Sequence, residues 1–242
     1  MTPRTVLITG AAHRIGAAIA RDLHAHGMDV IIHYNTSAAP ARSLADELNA
    51  ARDDSAFLIQ ADLTGTADYD AILAEACACT GNLHVLINNA SQFYPTPIGA
   101  TSREQWRDIM ESNLQAPFFL SQSCVPHLRK TGGCIINLTD IYGSIPLRDY
   151  SVYSAAKAGL IMLTRALARE LAPEIRVNAV SPGSVLWPEG MSETAKEAVL
   201  QQVSLGRTGT PQDVANSVRF LIEDAGYMTG QVLNVDGGRT LY

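Results

Sequence analysis

A phenol and an ammonium four residues apart, in Tyr153-Ser154-Ala155-Ala156-Lys157, are the side chains of this 242-residue chain best suited to proton chemistry. On a helix that spacing sets Tyr153 and Lys157 on one face. A free tyrosine titrates at about 10, and a neighbouring cation favours the phenolate. Lys157 is therefore expected to draw the Tyr153 pKa down toward working pH and let the phenol protonate a developing anion. Thirteen residues upstream, at a strand end, stands Asp140, and further upstream lie Asn88-Asn89-Ala90 and Asn113.

A second group could hold a phosphate. The run Thr5-Val6-Leu7-Ile8-Thr9 is followed by Gly10-Ala11-Ala12-His13-Arg14-Ile15-Gly16 and then by Ala17-Ala18-Ile19-Ala20. Gly10 supplies a tight turn, and Gly16 lets the helix lie close to the sheet. The helix start then offers free N–H groups and partial positive charge to an anion, with Arg14 as a fixed cation at its mouth. Dinucleotide folds place an acid at the end of the second strand for the ribose 2′-hydroxyl of NAD. Here that strand ends His33-Tyr34-Asn35-Thr36-Ser37, without a carboxylate. NADP is therefore expected over NAD, with Asn35, Thr36, Ser37 and Arg14 facing the 2′-phosphate.

The elements that must position these groups alternate. Short β-branched runs predict strands near 5–9, 29–33, 56–60, 84–88, 134–139, 175–180 and 231–235. Longer alanine-rich stretches predict helices near 15–26, 38–51, 67–79, 102–129, 152–171, 193–203 and 211–223, the last announced by Pro211 and Asp213. Runs such as Cys134-Ile135-Ile136-Asn137-Leu138 are apolar on both faces, which is the pattern of a buried parallel sheet. The expected fold is a single α/β domain over 1–242, a doubly wound parallel sheet of about seven strands with helices on both faces. Irregular stretches at 89–101, 140–151 and 181–192 follow strand ends, where such sheets bind ligands.

Composition excludes several classes. The chain is 47% hydrophobic and 17% charged, with a net charge of −6, so disorder and nucleic-acid binding are not expected. No apolar run reaches the roughly 20 residues of a membrane span, and the N-terminus lacks a signal-peptide pattern, so a cytoplasmic location is expected. Cys77, Cys79, Cys124 and Cys134 have no zinc or redox spacing and are expected to be small buried thiols. The six histidines show no metal-ligand spacing, and no metal is expected.

Taken in order, Thr9-Gly10…Gly16, Asp62-Leu63, Asn88-Asn89-Ala90, Asn113, Tyr153/Lys157, Pro182-Gly183 and Asp236-Gly237-Gly238 resemble the short-chain dehydrogenase/reductase superfamily over essentially the whole chain. That resemblance implies a Rossmann-type sheet, a nicotinamide cofactor and a homotetramer. Two departures are informative. Arg14 stands at a glycine-motif position that is usually small, and Asp140 stands where serine usually precedes the tyrosine. An ionised aspartate would repel a developing oxyanion, whereas a carboxyl beside a tyrosine suits protonation of nitrogen as hydride reaches the adjacent carbon. Reduction of a C=N bond is thus favoured over ketone reduction.

Both departures, together with Asn89-Ala90-Ser91-Gln92-Phe93-Tyr94-Pro95, look like the pteridine reductase branch. By that resemblance Gly10, Arg14, Ile15, Gly16, Asn89, Ala90 and Pro182-Gly183-Ser184 line NADPH, with Asp62 and Leu63 at adenine. Arg14 touches both pyrophosphate and pterin, Ser91 bonds pterin and cofactor, and Phe93 covers one pterin face. Asp140, Tyr153 and Lys157 deliver the proton, Lys157 also holds the nicotinamide ribose, and Asn113 anchors a water relay. The second-strand end carries Thr36 where the best-known pteridine reductases carry arginine. Trp187, in the loop of about 182–200 that folds over substrate, either gates the pterin or packs. Trp106 is core or subunit interface. The implied activity is reduction of a dihydropterin or dihydrofolate. The alternatives are a carbonyl or 3-oxoacyl thioester reductase, and a catalytically silent NADP-binding protein.

Overall fold

The apolar runs form strands because their β-branched residues fit a pleated surface, buried on both sides in the central strands and partly exposed at the two edges. In the computed structural model, which describes residues 4–187 and 190–241, they are β1 (Thr5–Ile8), β2 (Asp29–Tyr34), β3 (Ala56–Gln60), β4 (Val85–Asn88), β5 (Cys134–Leu138), β6 (Arg176–Pro182) and β7 (Val232–Val235). All pair in parallel, in the order β3-β2-β1-β4-β5-β6-β7. The order reverses between β1 and β4, so the crevice at their carboxyl ends is the natural ligand site of this fold.

Among the described residues there are eight α-helices, α1 (Arg14–Ala25), α2 (Ala38–Ala51), α3 (Tyr69–Thr80), α4 (Arg103–Met110), α5 (Ala116–Thr131), α6 (Ser151–Leu171), α7 (Glu193–Leu200) and α8 (Pro211–Glu223); α7 buries no residue. Alternation along the strands divides the core in two. Val6, Ile8, Val30, Ile32 and Ile87 meet α1, α2 and α8 through Ile19, Leu23, Leu44, Val214 and Leu221. Leu7, Ile31, Leu86 and Ile135 meet α3, α5 and α6 through Leu73, Leu120, Leu128 and Leu167. Thr210 and Asp213 form a reciprocal cap, with Pro211 in the first turn of α8.

Three expectations need correction. The helix expected over 102–129 is interrupted by a π turn at Glu111–Gln115, where the Ala116 N–H reaches back to the Glu111 carbonyl. The wider turn brings Ser112 to the site cavity and aims Asn113 at the 89–101 loop. Cys124 and Cys134 are buried, but Cys77 and Cys79 are only half-buried; Cys77 packs between α3 and α5, its Sγ 3.3 Å from His127 Nδ1. Of the two readings of Trp106, core or subunit interface, its 51% exposure removes the core. Of the loop expected over 182–200, residues 188 and 189 lie outside the described residues. No described helix is long and apolar enough to cross a membrane.

Candidate active site

The carboxyl ends of six strands, β1 to β6, converge on one cavity of about 690 Å³, within the range of small-molecule and cofactor sites. The β1–α1 turn forms one wall. Gly10 takes a left-handed backbone (φ +60), and a Cβ there would lie 2.9 Å from the Ala90 Cα. At Gly16 a Cβ would meet the Asn89 side chain and the Gly10 carbonyl at 2.7 Å each. Only glycine permits these approaches. The Thr9 hydroxyl accepts from the Asn89 and Ala90 N–H groups, and the Asn89 amide donates to the Thr9 and Gly10 carbonyls.

His33 props the same turn from β2. Its Nδ1 accepts the Gly10 N–H at 3.1 Å, and its Nε2 donates to the Ala61 carbonyl at 3.1 Å. Burial pushes its pKa down to about 4, so the neutral Nε2–H tautomer is the form that satisfies both bonds. His13, the cap residue of α1, makes no side-chain cap bond, and the first turn of α1 holds no acid. The opening N–H groups of α1 therefore lack an intrahelical partner, and Arg14, Ile15 and Gly16 line the cavity beside them. Asn35, Thr36, Ser37, Asp62 and Leu63 continue the lining, with the Ser37 hydroxyl 2.8 Å from His13 Nε2.

The opposite wall carries the acid–base group. Asp140 stands two residues past the end of β5 and caps a short 3₁₀ turn, Ile141–Gly143, by accepting the Tyr142 N–H on Oδ1 at 2.9 Å. Its Oδ2 accepts the Tyr153 hydroxyl at 2.8 Å. The Lys157 ammonium, buried one turn further along α6, donates to the Leu138 carbonyl at 2.9 Å and lies 5.6 Å from the Tyr153 ring centroid. Desolvation lowers the Lys157 pKa to about 8, against the pull of Asp140. Burial raises the Asp140 carboxyl above its ordinary value, although the Tyr142 N–H, Lys157 and the Tyr153 hydroxyl favour its ionised form.

The expected lowering of the Tyr153 pKa is overturned. Burial and the adjacent Asp140 carboxylate hold the phenol well above its ordinary value, with Ser91 acting in the opposite sense. A carboxylate at hydrogen-bond distance acts directly on the hydroxyl, whereas the ammonium faces the ring and is tied to a carbonyl. Asp140 is not a solvated turn residue but the direct partner of the phenol.

Ala90, Ser91, Pro182, Gly183, Ser184 and Trp187 also line the cavity. So does Phe93, which is 43% exposed and stacks on Tyr150 at 4.6 Å, with Tyr153 edge-on at 4.8 Å. Its free face is the one available to a flat ligand. Asn113 is the exception among the expected residues. Its amide grips the Gln92 backbone at both ends, at 2.9 and 2.8 Å, and does not line the cavity.

A family model described as "Enoyl-(Acyl carrier protein) reductase", drawn from the short-chain dehydrogenase/reductase group, matches residues 10–240. The chain belongs to the short-chain dehydrogenase/reductase superfamily. It is 37% identical over 240 residues to the 3-oxoacyl-(acyl-carrier-protein) reductase FabG of Staphylococcus aureus, covering 97% of each chain. It is 38% identical over 281 aligned positions to pteridine reductase 1 of Leishmania tarentolae, covering 99% of this chain and 97% of that one. A 3beta-hydroxysteroid dehydrogenase 1 of Eggerthella lenta is 35% identical over 247, covering 99% and 94%. Identities this close do not rank the branches. As a member of the superfamily the protein is an oxidoreductase of the nicotinamide-dependent kind. The glycine cradle and the uncapped start of α1 fit a dinucleotide.

Of the lining residues that the sequence did not assign to the site, His33 and Arg239 bear most on its chemistry. His33 sat in a strand and showed no pattern. Arg239 follows Asp236-Gly237-Gly238 at the far end of the chain; its guanidinium donates to the Ser184 hydroxyl and lies 5.7 Å from the Tyr142 ring centroid.

Proposed function

We propose that the protein is an NADPH-dependent reductase of dihydropterins, including dihydrofolate-like substrates. The observation that carries this reading is the 2.8 Å contact between Tyr153 Oη and Asp140 Oδ2, made at the position that serine usually holds in the superfamily. A serine hydroxyl stabilises a developing alkoxide by donating to it. An ionised carboxylate repels one, but a carboxyl whose burial raises its pKa can hand a proton to nitrogen.

The glycine turn and the start of α1 would hold the pyrophosphate. Asn35, Thr36, Ser37 and Arg14 would hold the 2′-phosphate, no carboxylate standing at that strand end. When bound, NADPH supplies the hydride taken by the carbon of a C=N bond. Asp140 and Tyr153 together hold the proton that the adjacent nitrogen takes, directly or through an intervening water. Lys157, with one of its three donors on Leu138, has two left for the nicotinamide ribose, and its charge favours ionised Asp140 once the proton has left. Phe93 offers one face to the pterin ring; Trp187 stands where it can close the cavity.

The likeness to FabG supports a second reading, a 3-oxoacyl thioester reductase. Replacing the carboxyl by the superfamily's serine separates the two. Asp140→Ser should abolish most dihydropterin reduction; a thioester reductase would tolerate the change or gain from it. The proposal also takes the apolar helix faces carrying Phe118, Phe119 and Met162, all exposed in the single chain, as subunit contacts of a homotetramer. Sedimentation velocity tests that, a monomer being the contrary result.

A further inference from the structure

Arg239 is 9% exposed and lines the cavity. A guanidinium carries five N–H donors. Among the described residues one hydrogen bond engages it, to the Ser184 hydroxyl, and no carboxylate lies within ion-pairing distance. Buried arginines are ordinarily paired, because an isolated charge loses its hydration without return. Asp236, three residues earlier, is unavailable: its carboxylate accepts from the Gly238 and Thr240 N–H groups and the Thr240 hydroxyl. The side chain is held in place by Tyr142, over whose ring it lies. Four donors thus stay with a preorganised cation at the wall of an open cavity.

We propose that Arg239 is a specificity residue that selects substrates bearing an oxyanion, a carboxylate or a phosphate, on the part of the molecule that is not reduced. The proposal rests on the reductase reading of this cavity but not on the pterin branch of it. A cofactor phosphate has the same chemistry. The helix start and Arg14 would serve that group on the opposite wall, whereas Arg239 sits over Tyr142, whose N–H is bonded to Asp140. The substrate is therefore the assigned source.

The test uses the full-length protein and pairs of which one member carries a remote oxyanion: dihydrofolate against 7,8-dihydrobiopterin, and acetoacetyl-coenzyme A against the uncharged N-acetylcysteamine thioester. The change of each pair's ratio in the variants separates charge from size. The ratio of kcat/KM for the charged over the uncharged member is read in whichever pair turns over, and dissociation constants on the NADP⁺-loaded protein are read by calorimetry. The wild type should prefer the charged member. Arg239→Gln should cut that ratio by about tenfold or more through KM, the size expected for a hydrogen bond to a charged group, and Arg239→Lys should restore part of it. Arg239→Met keeps the stem against Tyr142 and serves if the glutamine variant does not fold. A wild type without charge preference in turnover or binding overturns the proposal, as does an unchanged ratio in the variants. A weakened NADPH dissociation constant with the ratio intact also overturns it and moves the arginine to the cofactor. Turnover of thioesters alone refutes the pterin reading while the charge ratio is still read on the thioester pair.

Discussion

Asp140→Asn is the substitution whose consequences follow most directly from the geometry. The amide is nearly isosteric, and its oxygen can still accept the Tyr142 N–H that Oδ1 accepts at 2.9 Å, so the 3₁₀ cap survives. What disappears is the titratable proton and the acceptor charge on the Tyr153 hydroxyl. If Asp140 only orients the phenol, the loss is that of one charge-assisted hydrogen bond, about 1.5–3 kcal/mol, or about 10- to 150-fold in rate. If it holds the transferred proton, the loss is that of a general acid, about 10²–10⁴-fold. The account predicts the upper range in kcat with a dihydropterin, measured by NADPH absorbance, and loss of the limb of the pH profile that Asp140 contributes. Because the carboxylate raises the phenol, tyrosinate absorbance should show Tyr153 titrating at lower pH in the variant. A variant within about threefold of the wild type, with an unchanged pH profile, would refute the role given to the carboxyl.

Three further outcomes are expected. Gly10→Ala places a Cβ 2.9 Å from the Ala90 Cα at φ +60; the backbone alone costs about 1–2 kcal/mol, so the urea midpoint should fall and NADPH binding weaken, and unchanged binding would contradict the cradle. Native His33 titrates at about 4 and an unfolded histidine at about 6.5, so the unfolded chain takes up a proton that the native state refuses. Stability therefore falls as pH drops from about 6.5 toward about 4, by about 2 kcal/mol at pH 5. Equilibrium unfolding at pH 7 and 5 should show a smaller drop in His33→Asn, which keeps an acceptor for Gly10. Phe93→Ala removes a stacking platform worth about 0.5–1.5 kcal/mol, so the dihydropterin KM should rise about 2- to 12-fold with the NADPH dissociation constant unchanged; a shift in cofactor binding alone would place the ring elsewhere.

The strands were legible to within a residue or two because two-sided burial leaves runs such as Val30-Ile31-Ile32 with no competing reading. The π turn at Glu111–Gln115 was not, since an i→i+5 step changes hydrogen bonding and not composition. The 153/157 spacing correctly set phenol and ammonium on one helix face, yet it could not show that burial of the phenol, with Asp140 thirteen residues away closing to 2.8 Å, reverses the direction of the Tyr153 pKa. Asn113 was recognisable as a motif residue, but its grip on the Gln92 backbone depends on a loop path that spacing does not encode. Arg239 was invisible for a similar reason: the chain's last turn returns to Ser184 across the end of the sheet.

The central claim is reduction of a C=N bond, and the most direct test is NADPH oxidation by the purified protein offered 7,8-dihydrobiopterin and dihydrofolate beside an acetoacetyl thioester and simple ketones. The account predicts turnover with a dihydropterin, none with the ketones, and its loss in Asp140→Ala. Turnover with the thioester alone, undiminished in Asp140→Ser, would contradict it.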